Sequence, residues 1–303
     1  MRLLVEPELI AQHMGPLFLV EQSLNGLQLG VMLFMMAAGM TLMLGIMNLV
    51  NLAYGSLYML GAYFAVTGLW FTGSFPIAVA FSLVATAAVG VLMEIGAFRH
   101  LYFRTYLDQV LCTIGLNMFV NELVRIIWGP RPLQMNAPAA LSGKIELFPG
   151  FSYPTLRLAI IGVGIAIAGG LYVLISHTRI GIQIRAGSSN RSMAGAMGIN
   201  IKLLFTTVFA LGSALAGLAG IMAGPLLSVG VNMGDSILIL TLVVIVIGGI
   251  GSVRGAFIAA VLVGFIDTWS RTLLPPALGD IAIYLLMATV LYLKPRGLFP
   301  ANA

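Results

Sequence analysis

Some residues of this sequence that could do chemistry stand inside long apolar runs. Six ionisable side chains have this setting: Glu94, Asp108, Glu122, Arg125, Asp267 and Arg271. A charge at membrane depth suggests a functional role, such as a proton or sodium relay built from acids without a partner. However, four of the six are spaced three or four residues apart, and so share a helix face with an opposite charge. We expect these four to pair locally, and the two near the ends of their runs, Glu94 and Asp108, to reach headgroups or water.

Uncharged polar residues form a second group. Asn48 and Asn51 stand shortly before Tyr54, between two apolar runs, and Asn117 and Asn121 share one face of a later run. Amides at membrane depth need hydrogen-bond partners, and a break in a helix can offer backbone groups to a zwitterionic solute. Two interpretations stay open for these five residues: packing and hydrogen bonding between helices, or a solute path.

The usual catalytic, nucleotide-binding and metal-binding patterns are absent from the sequence. Gly143-Lys144 lacks the upstream glycine and the following Ser or Thr of a P-loop, and "GGIGSVRG" does not fit the dinucleotide fingerprint. Neither Gly-x-Ser-x-Gly nor His-Glu-x-x-His occurs. Cys112 is the single cysteine and the histidines are far apart, so we expect no metal site and no other cofactor. These absences favour a protein that is not an enzyme.

The composition is that of a membrane protein. The chain has 303 residues, of which 60% are hydrophobic and 8% charged, whereas soluble domains carry roughly a quarter charged residues. The net charge of +5 could suggest nucleic acid, but basic residues collect in the cytoplasmic loops of membrane proteins. We therefore expect the lipid bilayer, and no nucleic acid, as a partner. The predicted fold class is an all-α, polytopic membrane bundle that forms a single transmembrane domain over residues 1–303.

Apolar runs of about 20 residues match helices that cross a bilayer. We predict eight to nine spans, at 23–44, 52–71, 75–98, 107–128, 156–176, 202–224, 237–250, 255–274 and 280–294. Two stretches beside these spans, "GIMNLVNLAYG" (45–55) and "GPLLSVGVNMGD" (224–235), favour broken or re-entrant elements. In the sixth span, small residues recur every four positions from Gly212 to Gly224, a spacing that lets helix backbones approach closely.

The positions of lysine and arginine predict the orientation. With nine spans and an external N-terminus, the basic residues after spans three, five and nine all fall on one side. Cytoplasmic loops carry such an excess, so we predict an outside N-terminus and a cytoplasmic C-terminus. Arg131 and Lys144 fall on the opposite side and weaken the pattern.

The segment "RAGSSNRSMAGAMGIN" (185–200) is small, polar and basic between two long apolar runs. It predicts a short helix from about Ser189 to Met197, with Ser188 or Ser189 as its N-cap and Gly198 ending it in a left-handed turn. Its methionines form an apolar patch that suits a groove on another protein. A solvated linker would explain the polarity but not the helix signals.

Three stretches resemble the permease subunits of branched-chain amino-acid ABC importers, of the LivH type. They are "GIMNLVNLAYGSLYMLGAYFA" (45–65), "RAGSSNRSMAGAMGINIKLLFTTVFALGSALAGLAGIMAG" (185–224) and "VVIVIGGIGSVRGAFIAAVLVG" (243–264). The similarity covers nearly the whole chain. The second stretch resembles the cytoplasmic coupling loop of that family, which meets the ATPase subunit. The resemblance implies such a loop at 177–201, with an ATPase-coupling set of Asn190, Arg191, Met193, Ala194, Met197 and Gly198.

The resemblance also implies partners and a location. We expect a second permease subunit, of the LivM type, two ABC ATPase subunits and a periplasmic or extracytoplasmic binding protein, all at the bacterial inner membrane. One departure concerns the solute: the usual run of the family is NLA(H)G, whereas this chain has Tyr54 before Gly55. Relatives that move urea, amides or aromatic acids are therefore an alternative. An ion-coupled secondary transporter is the alternative from another class.

Overall fold

The computed structural model describes residues 15–102 and 104–299, and these residues are mostly helical. The long and short helices, in chain order, are α1 Pro16–Met47, α2 Tyr54–Thr72, α3 Phe75–Met93, α4 Tyr106–Trp128, α5 Thr155–His177, α6 Arg179–Ser189, α7 Arg191–Ala196, α8 Ile201–Ala223, α9 Met233–Gly248, α10 Val253–Leu273 and α11 Pro276–Leu293. A π-helical turn, Glu94–Phe98, and a short α-helical segment, Arg99–Leu101, continue α3. The first 14 residues, whose external location was predicted, lie outside the described residues.

A short hairpin and one turn of 3₁₀-helix fill the long connection between α4 and α5. The 3₁₀ turn is Ala139–Leu141, and strands β1 Lys144–Phe148 and β2 Phe151–Pro154 pair antiparallel.

Each of the nine predicted apolar stretches is helical, which confirms the all-α fold class. Six helices of the described chain are long and apolar enough to cross a membrane: Leu17–Met47, Phe75–Leu101, Tyr106–Trp128, Thr155–His177, Ile201–Ala223 and Val253–Leu273. Two more, Met233–Gly248 and Leu278–Leu293, are apolar but shorter. Helix α2 is mostly buried inside the bundle. The span count of eight to nine therefore stays a prediction.

Helix α1 lies at the centre of the bundle and packs against α5, α8, α9 and α10. Glycines let these helices approach closely, as packing without a hydrophobic driving force requires. A Cβ on Gly30 would lie 2.8 Å from the Cα of Val261, and one on Gly220 would collide with the carbonyl of Tyr58. The ridge of small residues predicted in α8 is therefore a packing surface.

Both predicted chain breaks are present, and they meet. Helix α1 ends at Met47, with Asn48 in the left-handed region at φ 48°, and α9 begins after Asn232 at φ 67°. These two are the non-glycine residues with positive φ in the described chain. Gly55 and Gly234, at the starts of α2 and α9, lie backbone against backbone. Only glycine fits at this contact, because a Cβ on either residue would clash with the other's backbone.

The segments predicted to lie on opposite sides of the membrane lie at opposite ends of α1. The hydroxyl of Tyr153, in β2, donates to Oδ1 of Asn25 near the start of α1, at 2.9 Å. Gly187, in α6, lies beside Ile46 near its end. Because α1 has 32 residues, its ends are roughly 48 Å apart. Which end is cytoplasmic stays a prediction.

Candidate functional site

A chain of polar side chains crosses the place where the two breaks meet. Ser56 Oγ donates to Asn117 Oδ1 at 2.5 Å, and Asn117 Nδ2 donates to Asp235 Oδ1 at 3.1 Å. The three residues come from α2, α4 and α9. Asn117 lies at the middle of α4, and Asp235 lies in the first turn of α9, where the helix dipole favours a negative charge. Among the described residues, no basic side chain lies within salt-bridge distance of Asp235.

The five predicted path residues have different surroundings. Asn51 is fully buried, and neither atom of its amide has a hydrogen-bond partner in the described chain. Asn48 is exposed at the end of α1, and Asn121 is half-buried one turn after Asn117. Tyr54 is fully buried, and its hydroxyl donates to the carbonyl of Gly212 at 2.7 Å. The structure thus joins Asn117 to Ser56 and Asp235, and places the Tyr54 hydroxyl in the packing against α8.

Sequence reasoning missed Ser56 and Asp235. The seventh predicted span starts at 237, so Asp235 falls in the predicted break before it, directly after the glycine of "VNMGD". An acid just after a glycine-rich break was the signal that could have identified it, because broken helices start at solute and ion sites.

The predicted local ion pairs are present. Arg271 Nε lies 2.7 Å from Asp267 Oδ1, and Arg125 Nη1 lies 3.2 Å from Glu122 Oε2. Asp108 is exposed, as predicted, and its side chain completes a capping box at the start of α4. These carboxylates therefore stabilise helices and their ends.

The prediction for Glu94 is wrong, because this carboxylate is fully buried and does not reach water. It pairs with Arg99 at 3.1 Å and accepts hydrogen bonds from Tyr102 at 3.0 Å and Thr206 at 2.8 Å. The π-helical turn at Glu94–Phe98 explains the pairing with Arg99, because it brings residues five apart onto one face.

The segment at 185–200 contains two helix pieces rather than one helix. Helix α6 runs through Ser189, and α7 starts at Arg191, with Asn190 in an extended conformation between them. The predicted serine cap is wrong: Asn190 Oδ1 accepts from the backbone N–H of Met193 at 3.0 Å. Ser188 Oγ instead donates back to the carbonyl of Arg185, inside α6.

The other end of α7 is fixed as predicted. Gly198 has φ 88°, and the N–H of Ile199 donates to the carbonyl of Ala194 at 3.1 Å, which is the Schellman arrangement. Asn200 then caps α8 by accepting from the N–H of Leu203. A helix of six residues is thus held at both ends.

Helix α7 is connected to the bundle by an aromatic chain. The guanidinium of Arg191 lies over the ring of Phe205, 5.7 Å from its centroid. The Phe205 ring packs edge-on against Tyr102, with centroids 4.9 Å apart, and the Tyr102 hydroxyl reaches Glu94. These contacts connect α7 to the buried network of α3 and α8.

The exposed surface of α7 differs from the one predicted for a partner. Met193 and Met197 are 62% and 78% exposed, whereas Ala194 is 4% exposed. The Ala194 side chain is buried within the permease chain itself, and the close approach of its backbone to a partner stays a prediction. The methionines are the apolar part of α7 that remains available.

The family of this chain is shown by its similarity to known proteins. A family model described as "Branched-chain amino acid transport system / permease component" matches residues 22–291. The chain belongs to this family of permeases. It is similar to BraD of Pseudomonas aeruginosa, a high-affinity branched-chain amino acid transport permease, at 29% identity over 92% of this chain and 95% of the relative. It is also similar to LivH of Escherichia coli K12, at 28% identity over 93% and 96%.

Two further likenesses are more distant. A probable LivH permease of Methanocaldococcus jannaschii is 26% identical over 88% of each chain. PsaBC from Streptococcus pneumoniae, solved in complex with Fab, aligns over 95% of both chains at 12% identity and a TM-score of 0.49.

The permease is a multi-pass membrane protein of a transport system. Its long apolar helices and its relatives agree on this point. In the part of the permease that the structure describes, no group of three or more His, Cys, Asp or Glu residues could hold a metal ion.

Proposed function

We propose that this permease is the membrane subunit of an ABC importer that carries branched-chain amino acids across the bacterial inner membrane. It would pair with a second, LivM-type permease, receive solute from a periplasmic or extracytoplasmic binding protein, and be driven by two ABC ATPase subunits. The observation that carries the proposal is α7: a short helix, capped at both ends, that exposes two methionines at one end of a bundle. No cofactor is required.

The proposed role of α7 is to transmit the movement of an ATPase subunit. A chain without a nucleotide-binding motif of its own must receive the energy of hydrolysis through a contact. A rigid contact transmits more than a flexible one, and the caps at Asn190 and Gly198 supply that rigidity. Met193 and Met197 would enter a groove of the ATPase. Arg191 would pass the displacement to Phe205 and the network of Glu94.

The proposed solute path passes the meeting point of the two chain breaks. A zwitterionic amino acid has an ammonium group that an unpaired carboxylate binds, and a carboxylate that helix N-termini favour. Asp235 would bind the ammonium group, while the first turns of α2 and α9 offer backbone N–H groups. Asn48, Asn51, Asn117 and Asn121 remain the proposed polar lining. The Tyr54 side chain would act on helix packing, because its hydroxyl is already bonded to Gly212.

Uptake of radiolabelled leucine by proteoliposomes that contain the whole importer tests this assignment. We expect Asp235→Asn to raise the half-saturating leucine concentration or abolish uptake, because the ammonium group loses its counter-charge. Asp108→Asn, an exposed capping carboxylate on α4, is the matched control and should change uptake less than twofold. Equal uptake by the wild type and Asp235→Asn would place the path elsewhere. A panel of urea, amides and aromatic acids, tested for stimulation of ATP hydrolysis, identifies the solute class.

A further inference from the structure

A large cleft lies beside the second half of α1 and shares no lining residue with the Ser56–Asn117–Asp235 cluster. Helices α1, α5, α6 and α10, together with Leu298 and Phe299, line a volume of about 1010 Å³. This is at the upper end of the 300–1,000 Å³ that is usual for small-molecule pockets. Most of its wall is apolar, with Phe34, Leu42, Ile175 and Phe257 among the lining residues.

One group of polar residues in the cleft is basic. Arg185 of α6 and Arg254 of α10 both line it, and no aspartate or glutamate does. The guanidinium of Arg254 lies over the ring of Tyr172, 5.3 Å from its centroid, and Arg185 donates to the carbonyl of Ile175. Both arginines are therefore held at the cleft by neutral groups, and within residues 15–102 and 104–299 neither forms a salt bridge with a carboxylate.

A buried hydroxyl gives a second, independent indication of a ligand. Thr41 of α1 lines the cleft, is fully buried, and has no hydrogen-bond partner within the described chain. An unsatisfied buried hydroxyl costs free energy that a ligand with an acceptor oxygen would recover. Thr41 precedes the end of α1 by six residues, roughly 9 Å along the helix axis.

We propose that the cleft binds one anionic phospholipid. Its phosphate would lie between Arg185 and Arg254, an ester or glycerol oxygen would accept from Thr41, and an acyl chain would lie along the apolar wall. Basic pockets between membrane helices are a known way to bind anionic headgroups. A free phosphate ion would leave the apolar wall uncovered. An apolar helix from a second subunit would bury two arginines that are exposed in the structure, and would offer them no counter-charge.

The bound lipid would stabilise the part of the chain that carries α7. Arg185 lies five residues before Asn190, the cap of α7, and Ser188 also lines the cleft. A lipid that holds α6 against α1 and α10 therefore holds the base of α7. This consequence goes beyond the proposed import function, and lipid binding itself does not depend on it.

Native mass spectrometry of the purified full-length permease, with phosphatidylglycerol or phosphatidylcholine added, tests the proposal. We expect selective retention of phosphatidylglycerol. The double variant Arg185→Gln/Arg254→Gln should weaken this binding about 30-fold, because each basic residue near an anionic headgroup raises the affinity about fivefold. Arg179→Gln removes the same charge from the start of α6, outside the cleft lining, and should leave binding unchanged.

A second variant tests the apolar part of the site without changing any charge. Ala168 lines the cleft on α5, and Ala168→Trp should fill the space of an acyl chain and lower phosphatidylglycerol retention at least tenfold. Inorganic phosphate should not displace the lipid. Equal retention by the wild type and the double variant would overturn the proposal. Displacement by inorganic phosphate, or no effect of Ala168→Trp, would show a plain anion site instead.

Discussion

Replacing Met193 and Met197 by alanine should detach the ATPase from the permease while leaving the membrane bundle intact. Both side chains point away from the permease, with exposed fractions of 62% and 78%. The caps that hold α7 use the side chain of Asn190 and the backbone at Gly198, so the substitution removes apolar surface without removing a cap. The thermal unfolding midpoint of the isolated permease should therefore stay the same.

The expected magnitude follows from the exposed area. Complete burial of a methionine side chain contributes about 1.5–3 kcal/mol. Scaled by the exposed fractions, the two contacts are together worth about 2–4 kcal/mol, and alanine retains part of the contact. We therefore expect the binding free energy to fall by about 1.5–3 kcal/mol, which raises the dissociation constant about 10- to 150-fold.

The assay is the binding of purified ATPase subunits to the permease complex in nanodiscs, by biolayer interferometry. Met118→Ala is the matched control, because Met118 is 67% exposed on α4 and lies outside the coupling segment. It should bind the ATPase like the wild type. If the double variant bound within twofold of the wild type, α7 would not be the docking helix.

Three further predictions concern the buried network, the chain break and the orientation. Glu94→Gln should destabilise the permease by about 3 kcal/mol or more, and Glu122→Gln by about 0.5 kcal/mol or less, since its pair is exposed; equal shifts in denaturant unfolding would refute this. Asn51→Leu should abolish uptake but keep assembly and stability, because the amide makes no hydrogen bond to any described residue; normal uptake would make it a packing residue. In a cysteine-free background, a cysteine placed near Asn190 should be labelled only from the cytoplasm and one near Asn136 only from outside; labelling from the same side would contradict the orientation.

The sequence predicted the elements well where local signals decide them. Each of the nine predicted apolar runs is a helix in the structure, because the length of an apolar run is enough to distinguish a membrane-length helix from a loop. The break after Met47 and the turn at Gly198 could also be predicted, since asparagine and glycine are the residues that most readily adopt the left-handed region. The cap of α7 could not be predicted from the sequence, because Ser188, Ser189 and Asn190 are all residue types that cap helices well.

The site depended on contacts between distant residues. Thr206 reaches Glu94 across more than 100 positions of sequence, and no spacing rule connects them. Asp235 becomes part of a polar cluster only because α4 places Asn117 beside the start of α9. A single sequence could suggest that Asn117 matters, but not which neighbours would give it a role.

The most direct test of the proposed function is the energy source of transport. The assay uses proteoliposomes that contain the permease, its partner permease and both ATPase subunits, together with the binding protein. Radiolabelled leucine is added outside the vesicles, and ATP is supplied either inside or outside. We predict leucine accumulation only when ATP is present on the ATPase side and the binding protein on the other, with no effect of collapsing proton and sodium gradients. Accumulation driven by an ion gradient without ATP would contradict the account and assign the transport to ion coupling.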